Sequence, residues 1–458
     1  MMLSPVSRCL EGGIPATLAT SAADGTPNVA PIWQAHQIDD RHIALAHQFF
    51  NKTCANLAEN PHATLLLTDP ESGQQWALSV VYHASQTDGP VFRTVQGRLA
   101  SIAARAGMGN VYALSSVDIF EVVELTCCTP VSAPPPDAAV HHLAAVKALC
   151  RQLAGADDLA KMLDQTLSGM ARHFGMEQGL ILCMDESSQW LYTVASHGYD
   201  EAGVGSEVRM AEGIIGIAAQ LRTPIRLSYL GAAHRYGQAM RVQAVSSGLL
   251  AIDAEIRPPG LPDPQCQMAV PIEAGDWLAG VLYVESARAR RYTQDDEDAL
   301  VVIAHQLGLA MRLLLQPPDV MPIAEGRAAE PVGTSPQAAV NVRYFAATQS
   351  VFLDEAYLIK GVAGAILWLL LLDYTQHGRI DFSNRELRLD SRLKLPEIDD
   401  NLETRLLLLE RRLAGQCPWL RLEKVGRGRF RLCVDQPIQL TDMEQSPVRL
   451  TVHEHVVP

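Results

Sequence analysis

HQFFNKTCANLAENPHATLLL, residues His47 to Leu67, is the stretch on which the reading of the first quarter of the chain turns. Lys52 and Thr53 open an amphipathic helix there, ahead of an apolar run. Upstream, GIPATLATSAADGTPNVAPIW (Gly13 to Trp33) reads as strand, turn, strand. Ala16 to Ser21 is rich in β-formers, Ala23-Asp24-Gly25-Thr26 has turn chemistry, and Asn28 to Trp33 returns as a second strand. A helix N-terminus presents unpaired backbone N–H groups, so a lysine and a hydroxyl placed at one suit a phosphate.

Together these segments resemble the flavin-binding split barrels of the pyridoxamine-phosphate-oxidase superfamily. The likeness continues through VFRTVQGRLASI (Val91 to Ile102) and a closing strand, VDIFEVVEL (Val117 to Leu125). It implies bound FMN, with the phosphate near Lys52 and Thr53 and with Asn51 and Gln48 close by. It sets Asn28, Val29, Ala30 and Pro31 under the isoalloxazine edge, and Gln96 and Arg98 on a neighbouring strand. Some relatives hold haem or a deazaflavin, and haem is the alternative cofactor here. In the family a partner subunit supplies the second wall of the flavin site, which implies a homodimer. Flavin carries hydride chemistry itself. His36, His42 and His47 are titratable candidates, and none is assigned a catalytic role.

The 458 residues suffice for two to four domains, and a formal net charge of −14 argues against a chain coated in nucleic acid or lying on an anionic membrane. Nine scattered cysteines form no CxxC pair and no zinc spacing, so reduced thiols and no metal site are expected. The N-terminus lacks the pattern of a signal peptide. The most hydrophobic segment, Gly361 to Leu372, is shorter than the roughly 20 residues of a spanning helix. It reads as a buried core helix of a cytoplasmic protein.

Two proline-rich spacers divide the chain, TPVSAPPPD (Thr129 to Asp137) and PPDVMPIAEGRAAEPVGTSPQ (Pro317 to Gln337). They give a barrel over 1–128, a sensor domain over 138–315, a linker over 316–340, an output domain over 341–440 and a tail over 441–458. The first spacer suggests that few packed contacts cross it. The middle segment reads helix (Val140–Ala154), helix (Leu159–Phe174), strands at Gln178–Met184 and Trp190–Ser196, then a long insertion. Strands at Gln267–Ile272 and Ala279–Glu285 and a helix at Gln294–Leu315 close it. That order resembles a GAF domain, as do the phrases EGIIGIAAQLRTPIRL, QMAVPIEAGDWLAGVLYVES and RYTQDDEDALVVIAHQLGLAM. The likeness implies a small-molecule pocket facing the insertion Leu227–Gly248, whose Tyr229, His234, Arg235, Tyr236 and Arg241 suit an anionic or planar ligand. No cysteine for bilin attachment lies in that loop. Glu285-Ser286-Ala287-Arg288 stands where cyclic-nucleotide-binding members carry an Asn-Lys pair. Cys266 could sense oxidants, although a lone thiol beside a core strand is more often inert.

The last segment reads helix (Leu353–Gln376), short strand (Arg379–Phe382), helix (Asn384–Leu393) capped by Ser383 and Glu386, helix (Leu402–Ala414) and hairpin (Leu420–Val425, Phe430–Val434). This order resembles a winged helix. Asn341 to Val434 holds 15 Lys and Arg against 12 Asp and Glu, a locally basic segment in an acidic chain. Asn401, Thr404, Arg405, Arg411 and Arg412 on the third helix, and Lys424, Arg427, Arg429 and Arg431 on the wing, are the DNA-facing candidates. The fold class is therefore multidomain α+β: split β-barrel, GAF, winged helix. The function expected is a ligand- or redox-sensing transcriptional regulator. An FMN-dependent oxidoreductase and a non-catalytic protein-binding scaffold are the alternatives.

Overall fold

The computed structural model describes residues 3–47, 51–105, 114–129, 142–156, 158–185, 189–200, 203–230, 258–315, 339–393, 402–426 and 428–443. Two compact units form, Met1–Leu314 and Leu315–Pro458.

The first unit opens with a 3-10 helix, Ser4–Glu11. Strands β1 (Ala16–Ser21), β2 (Pro27–Ile32), β3 (Ala35–Gln37) and β4 (His42–His47) lead to α1 (Asn51–Glu59). Strands β5 (His62–Thr68) and β6 (Gln75–Gln86), helix α2 (Pro90–Arg105) and β7 (Ser116–Cys127) follow. The strands form one seven-stranded sheet in the order β2-β1-β5-β6-β7-β4-β3, with every adjacent pair antiparallel. The turn chemistry at 23–26 is realised as an Asx turn, Thr26 N–H donating to Asp24 Oδ1 at 2.9 Å. It sets a register that pairs Ala16 with Ile32 and Thr20 with Asn28. Alternate residues then point inward, and Leu18, Ile32, Leu45, Leu65, Leu78 and Phe120 build the core.

The structure corrects the reading of residues 90–105. Gln96 and Arg98 lie on a helix, not a strand. Pro90 suits a first helical turn, and Phe92, Val95, Arg98 and Ser101 are buried at helical spacing.

The rest of the unit contains α3 (His142–Ala154), α4 (Leu159–Phe174), β8 (Gln178–Asp185), β9 (Trp190–His197) and β10 (Glu207–Arg209). Then come α5 (Gly213–Leu221), β11 (Ile225–Leu227), β12 (Cys266–Ala274), β13 (Trp277–Ser286) and α6 (Gln294–Leu315). The sheet order is β10-β9-β8-β13-β12-β11. Asp158 caps α4 by accepting from Lys161 N–H at 3.1 Å, and Gly175 ends it in the left-handed conformation. Strands β8 and β12 are buried almost throughout, as their unbroken apolar runs require. Among the described residues α6 alone is long and apolar enough to cross a membrane. One face of it, Leu300, Ile303, Leu307 and Met311, is buried.

Contacts cross the first spacer, contrary to what its composition suggests. Helix α2 packs on α5 and β11, and its Ala100, Ile102 and Ala104 join the core of the six-stranded domain. The approach is close because Gly97 lacks a side chain. A Cβ there would lie 2.9 Å from Ile225 Cδ1 and 3.2 Å from Leu221 Cδ1.

The second unit holds β14 (Val340–Phe345), β15 (Ser350–Leu353), β16 (Ala356–Ile359), α7 (Gly361–His377), β17 (Asp381–Ser383) and α8 (Asn384–Leu389). Helix α9 (Leu402–Gln416) and strands β18 (Leu420–Gly426), β19 (Arg429–Val434) and β20 (Ile438–Asp442) complete it. Its sheets run β16-β15-β14-β20 and β17-β19-β18. The helix expected from Leu353 begins only at Gly361. Asp354 adopts a left-handed turn, φ 52°, and the apolar run before Gly361 is strand β16. Helix α7 is buried over nearly all of Ala363 to Leu371. Helix α8 starts on the expected capping box of Ser383 and Glu386 and ends earlier than expected, at Leu389.

Candidate functional site

The register of β1 on β2 brings Asn28 to the start of α1. Asn28 Nδ2 donates to Thr53 Oγ1 at 3.0 Å and to Thr20 Oγ1 at 3.4 Å. Asn56, one turn after Thr53, donates to Thr20 Oγ1 at 3.1 Å. Thr53 and Asn56 are each only 4% exposed, so this network fixes the first turn of α1 against the sheet. Lys52 is exposed beside it. Sequence reasoning missed Thr20 and Asn56; the i, i+3 spacing of Thr53 and Asn56 was the available signal. On β2, Val29 and Pro31 are exposed and Ala30 is buried. Asn51 begins α1, and Gln48 lies outside the described residues.

These residues fit a phosphorylated, flat cofactor. Thr53 accepts from Asn28 and keeps its own hydrogen to donate. Lys52 and the first-turn amides supply positive charge, and Val29 and Pro31 offer an open apolar surface. Haem gains nothing comparable from the described residues.

Arg98 does not join this group. It lies where α2 meets the six-stranded domain, in a buried charged cluster. Glu11 accepts from Arg226 and Arg290, each at 3.1 Å. Glu297 accepts from Arg226 Nε at 2.9 Å, and Arg226 also donates to Ser228, Gln294 and the Tyr292 carbonyl. Burial opposes the charge on Arg226, but Glu297 and Glu11 outweigh it and raise its pKa. Among the described residues Arg98 has no such carboxylate bond, and burial, reinforced by nearby Arg226, lowers its pKa to about 10. The pKa of His36 on β3 is held well below its usual range by burial and by Arg98 and Arg226, which favours the uncharged ring.

A second polar group lies on the sheet nearby. Glu285, 2% exposed, accepts from Leu261 N–H at 2.7 Å, Tyr283 Oη at 2.9 Å and Gln267 Nε2 at 3.3 Å. Arg105, at the end of α2, donates to Gln267 Oε1 at 3.3 Å. Of the residues expected to face a ligand, Tyr229 sets its ring against Gly13; His234, Arg235, Tyr236 and Arg241 lie outside the described residues. Cys266 is fully buried, and burial pushes its thiol up to about 11, which disfavours the reactive thiolate.

In the second unit the DNA-facing candidates divide. Thr404 and Arg405 are 5% and 7% exposed, so these two point into the protein and not towards a groove. Arg412 donates to the Leu358 carbonyl at 2.9 Å, and Arg431 pairs with Asp381 at 2.8 Å. Arg411 is half-buried, Lys424 and Arg429 are exposed on the hairpin, and Asn401 and Arg427 lie outside the described residues. The burial follows from helical phase. The apolar run Leu406 to Leu409 cannot all face outward, and its core face carries Thr404 and Arg405 inward with it.

The family model described as pyridoxamine 5'-phosphate oxidase matches residues 6–123, and the GAF domain model matches residues 156–312. The first unit carries these two domains. Similar solved structures include the GAF domain of an Acinetobacter phosphoenolpyruvate-protein phosphotransferase, 20% identical over 38% of this chain and 93% of that one, TM-score 0.31. An FMN-binding protein from Syntrophomonas wolfei is 25% identical over 28% of this chain and 88% of that one, TM-score 0.24. Free methionine-R-sulfoxide reductase from Neisseria meningitidis, in complex with its substrate, is 15% identical over 40% and 94%, TM-score 0.29. No curated protein matches the chain. In the GAF domain, α2 of the oxidase-like domain takes a place in the core, so the two domains share packing as well as a chain.

Proposed function

We propose that this chain is a cytoplasmic ligand-sensing regulator in which a flavin-binding barrel and a GAF domain act as one sensing unit. The observation that carries the reading is α2: a helix of the barrel domain packs against the GAF core, which gives a change in either domain a route to the other. Lys52, Thr53 and Asn28 would hold FMN at its phosphate, with Val29 and Pro31 against the ring. Flavin, when bound, supplies hydride or one-electron chemistry. Purified protein should show flavin absorbance or take up FMN in a fluorescence titration. Lys52→Ala should weaken uptake roughly tenfold or more, the cost of one charge-assisted contact. No uptake at high micromolar FMN would end the flavin reading.

The partner proposed for the sensing unit is a second copy. Val302, Leu309 and Leu313 are exposed along α6 and Leu143 along α3, an apolar stripe that a homodimer would cover.

The second unit is the proposed output. Its order of helix, strand, helix, helix and hairpin, with the sheet β17-β19-β18, supports a winged-helix reading. Lys424 and Arg429 on the hairpin suit phosphates of DNA. A protein-docking output is the second reading, favoured by the burial of Thr404 and Arg405 and by Glu403, Leu406 and Glu410 on the outer side of α9. Titrations at several salt concentrations separate the two. DNA binding predicts a slope of log affinity against log salt that falls by about 0.9 for each phosphate-contacting cation removed. An unchanged slope in Lys424→Gln and Arg429→Gln favours protein docking.

A further inference from the structure

Among the described residues, the junction between the two domains of the first unit holds more arginines than its buried Glu11 and Glu297 balance. Arg98, Arg226 and Arg290 converge there, against Glu11 and Glu297. Both carboxylates are committed to Arg226 and Arg290. Arg98 is 6% exposed, and its Nε finds no acceptor among the described residues. Ser101, one turn further along α2, is 2% exposed, and its hydroxyl also finds no partner among them. Arg105 is no part of the excess, because it faces the Glu285 network through Gln267.

A buried guanidinium without a paired anion is costly, and so is a buried hydroxyl without a partner. Two such groups at i and i+3 on one helix face present a planar fork of donors and a hydroxyl donor side by side. That donor set matches an oxyanion. We propose that the junction binds a compact oxyanion, the carboxylate or phosphate group of a small metabolite, between Arg98 and Ser101. The group must be small, because α2 lies against Ile225 and Leu221 at Gly97, with no room there even for a methyl group. Its binding would fasten α2 to the GAF domain by neutralising the charge of Arg98, which opposes the contact. The site depends on neither flavin nor nucleic acid.

The test is calorimetric titration of the full chain in low-anion buffer with sodium acetate and with inorganic phosphate, each against sodium chloride at matched ionic strength. Thermal unfolding is followed in parallel. The expected result is a saturable heat and a rise in Tm with acetate or with phosphate and not with chloride. The anion that works shows whether a carboxylate or a phosphate is the natural group. Arg98→Met should abolish the heat, Arg98→Lys should keep weaker binding because the fork is lost and the charge retained, and Ser101→Ala should weaken binding severalfold. Should Arg98→Met fail to fold, the other two variants decide. No saturable heat with either anion would overturn the proposal. So would affinities unchanged in the variants that fold.

Discussion

His36 shows how one half-buried side chain ties stability to pH. Its folded pKa lies below the ordinary value of about 6.5, because burial and two arginines oppose its charge. Between those two values the unfolded chain binds a proton that the folded one refuses. Stability is therefore full above roughly pH 6.5 and declines as pH falls, by at most about 1.4 kcal/mol per unit for one proton. Urea midpoints for the first unit at pH 7.5, 6 and 5 should trace that decline, and His36→Gln should flatten it. An unaltered slope in the variant would assign the acid sensitivity elsewhere. At this scale the sequence put Lys52 and Thr53 together at a helix start, a local feature, whereas Asn28 was expected under the ring edge and is hydrogen-bonded to Thr53 instead. Arg98 was not, because its neighbours Arg226, Glu11 and Glu297 come from distant positions, and only the fold brings them together.

Among the elements, those with long, uniform patterns were the legible ones. Strands β8 and β13 and helices α4 and α6 appear where apolar runs and end signals put them. Strand β16 was read into a helix because its apolar run continues straight into α7, and short runs do not distinguish the two periods; β14 and β15 were given no element. Helix α2 was read as a strand by likeness to a family, against its own helical spacing. It is also the element that packs against the core of the six-stranded domain. Gly97→Leu should force a side chain into Ile225 and Leu221 and lower the stability of that unit by about 1–3 kcal/mol. Denaturation should show the loss in the Met1–Leu314 unit and leave the second unit's transition in place. Equal stability of wild type and variant would mean that α2 does not hold the domains together.

For the whole molecule, the proposed function requires two domains that bind and respond as one. The barrel offers Lys52 and Thr53 at one end of its sheet, while α2 connects that same domain to the GAF core. A cofactor that orders the barrel should change how firmly α2 is seated, because packed elements transmit strain through contact. The most direct test is amide hydrogen exchange of the full chain with and without saturating FMN. The account predicts protection at the start of α1 together with altered exchange in α2, α5 and β11. Protection confined to α1 and the strands beside it, with exchange in α5 and β11 unaltered, would contradict the claim that the two domains form one sensing unit.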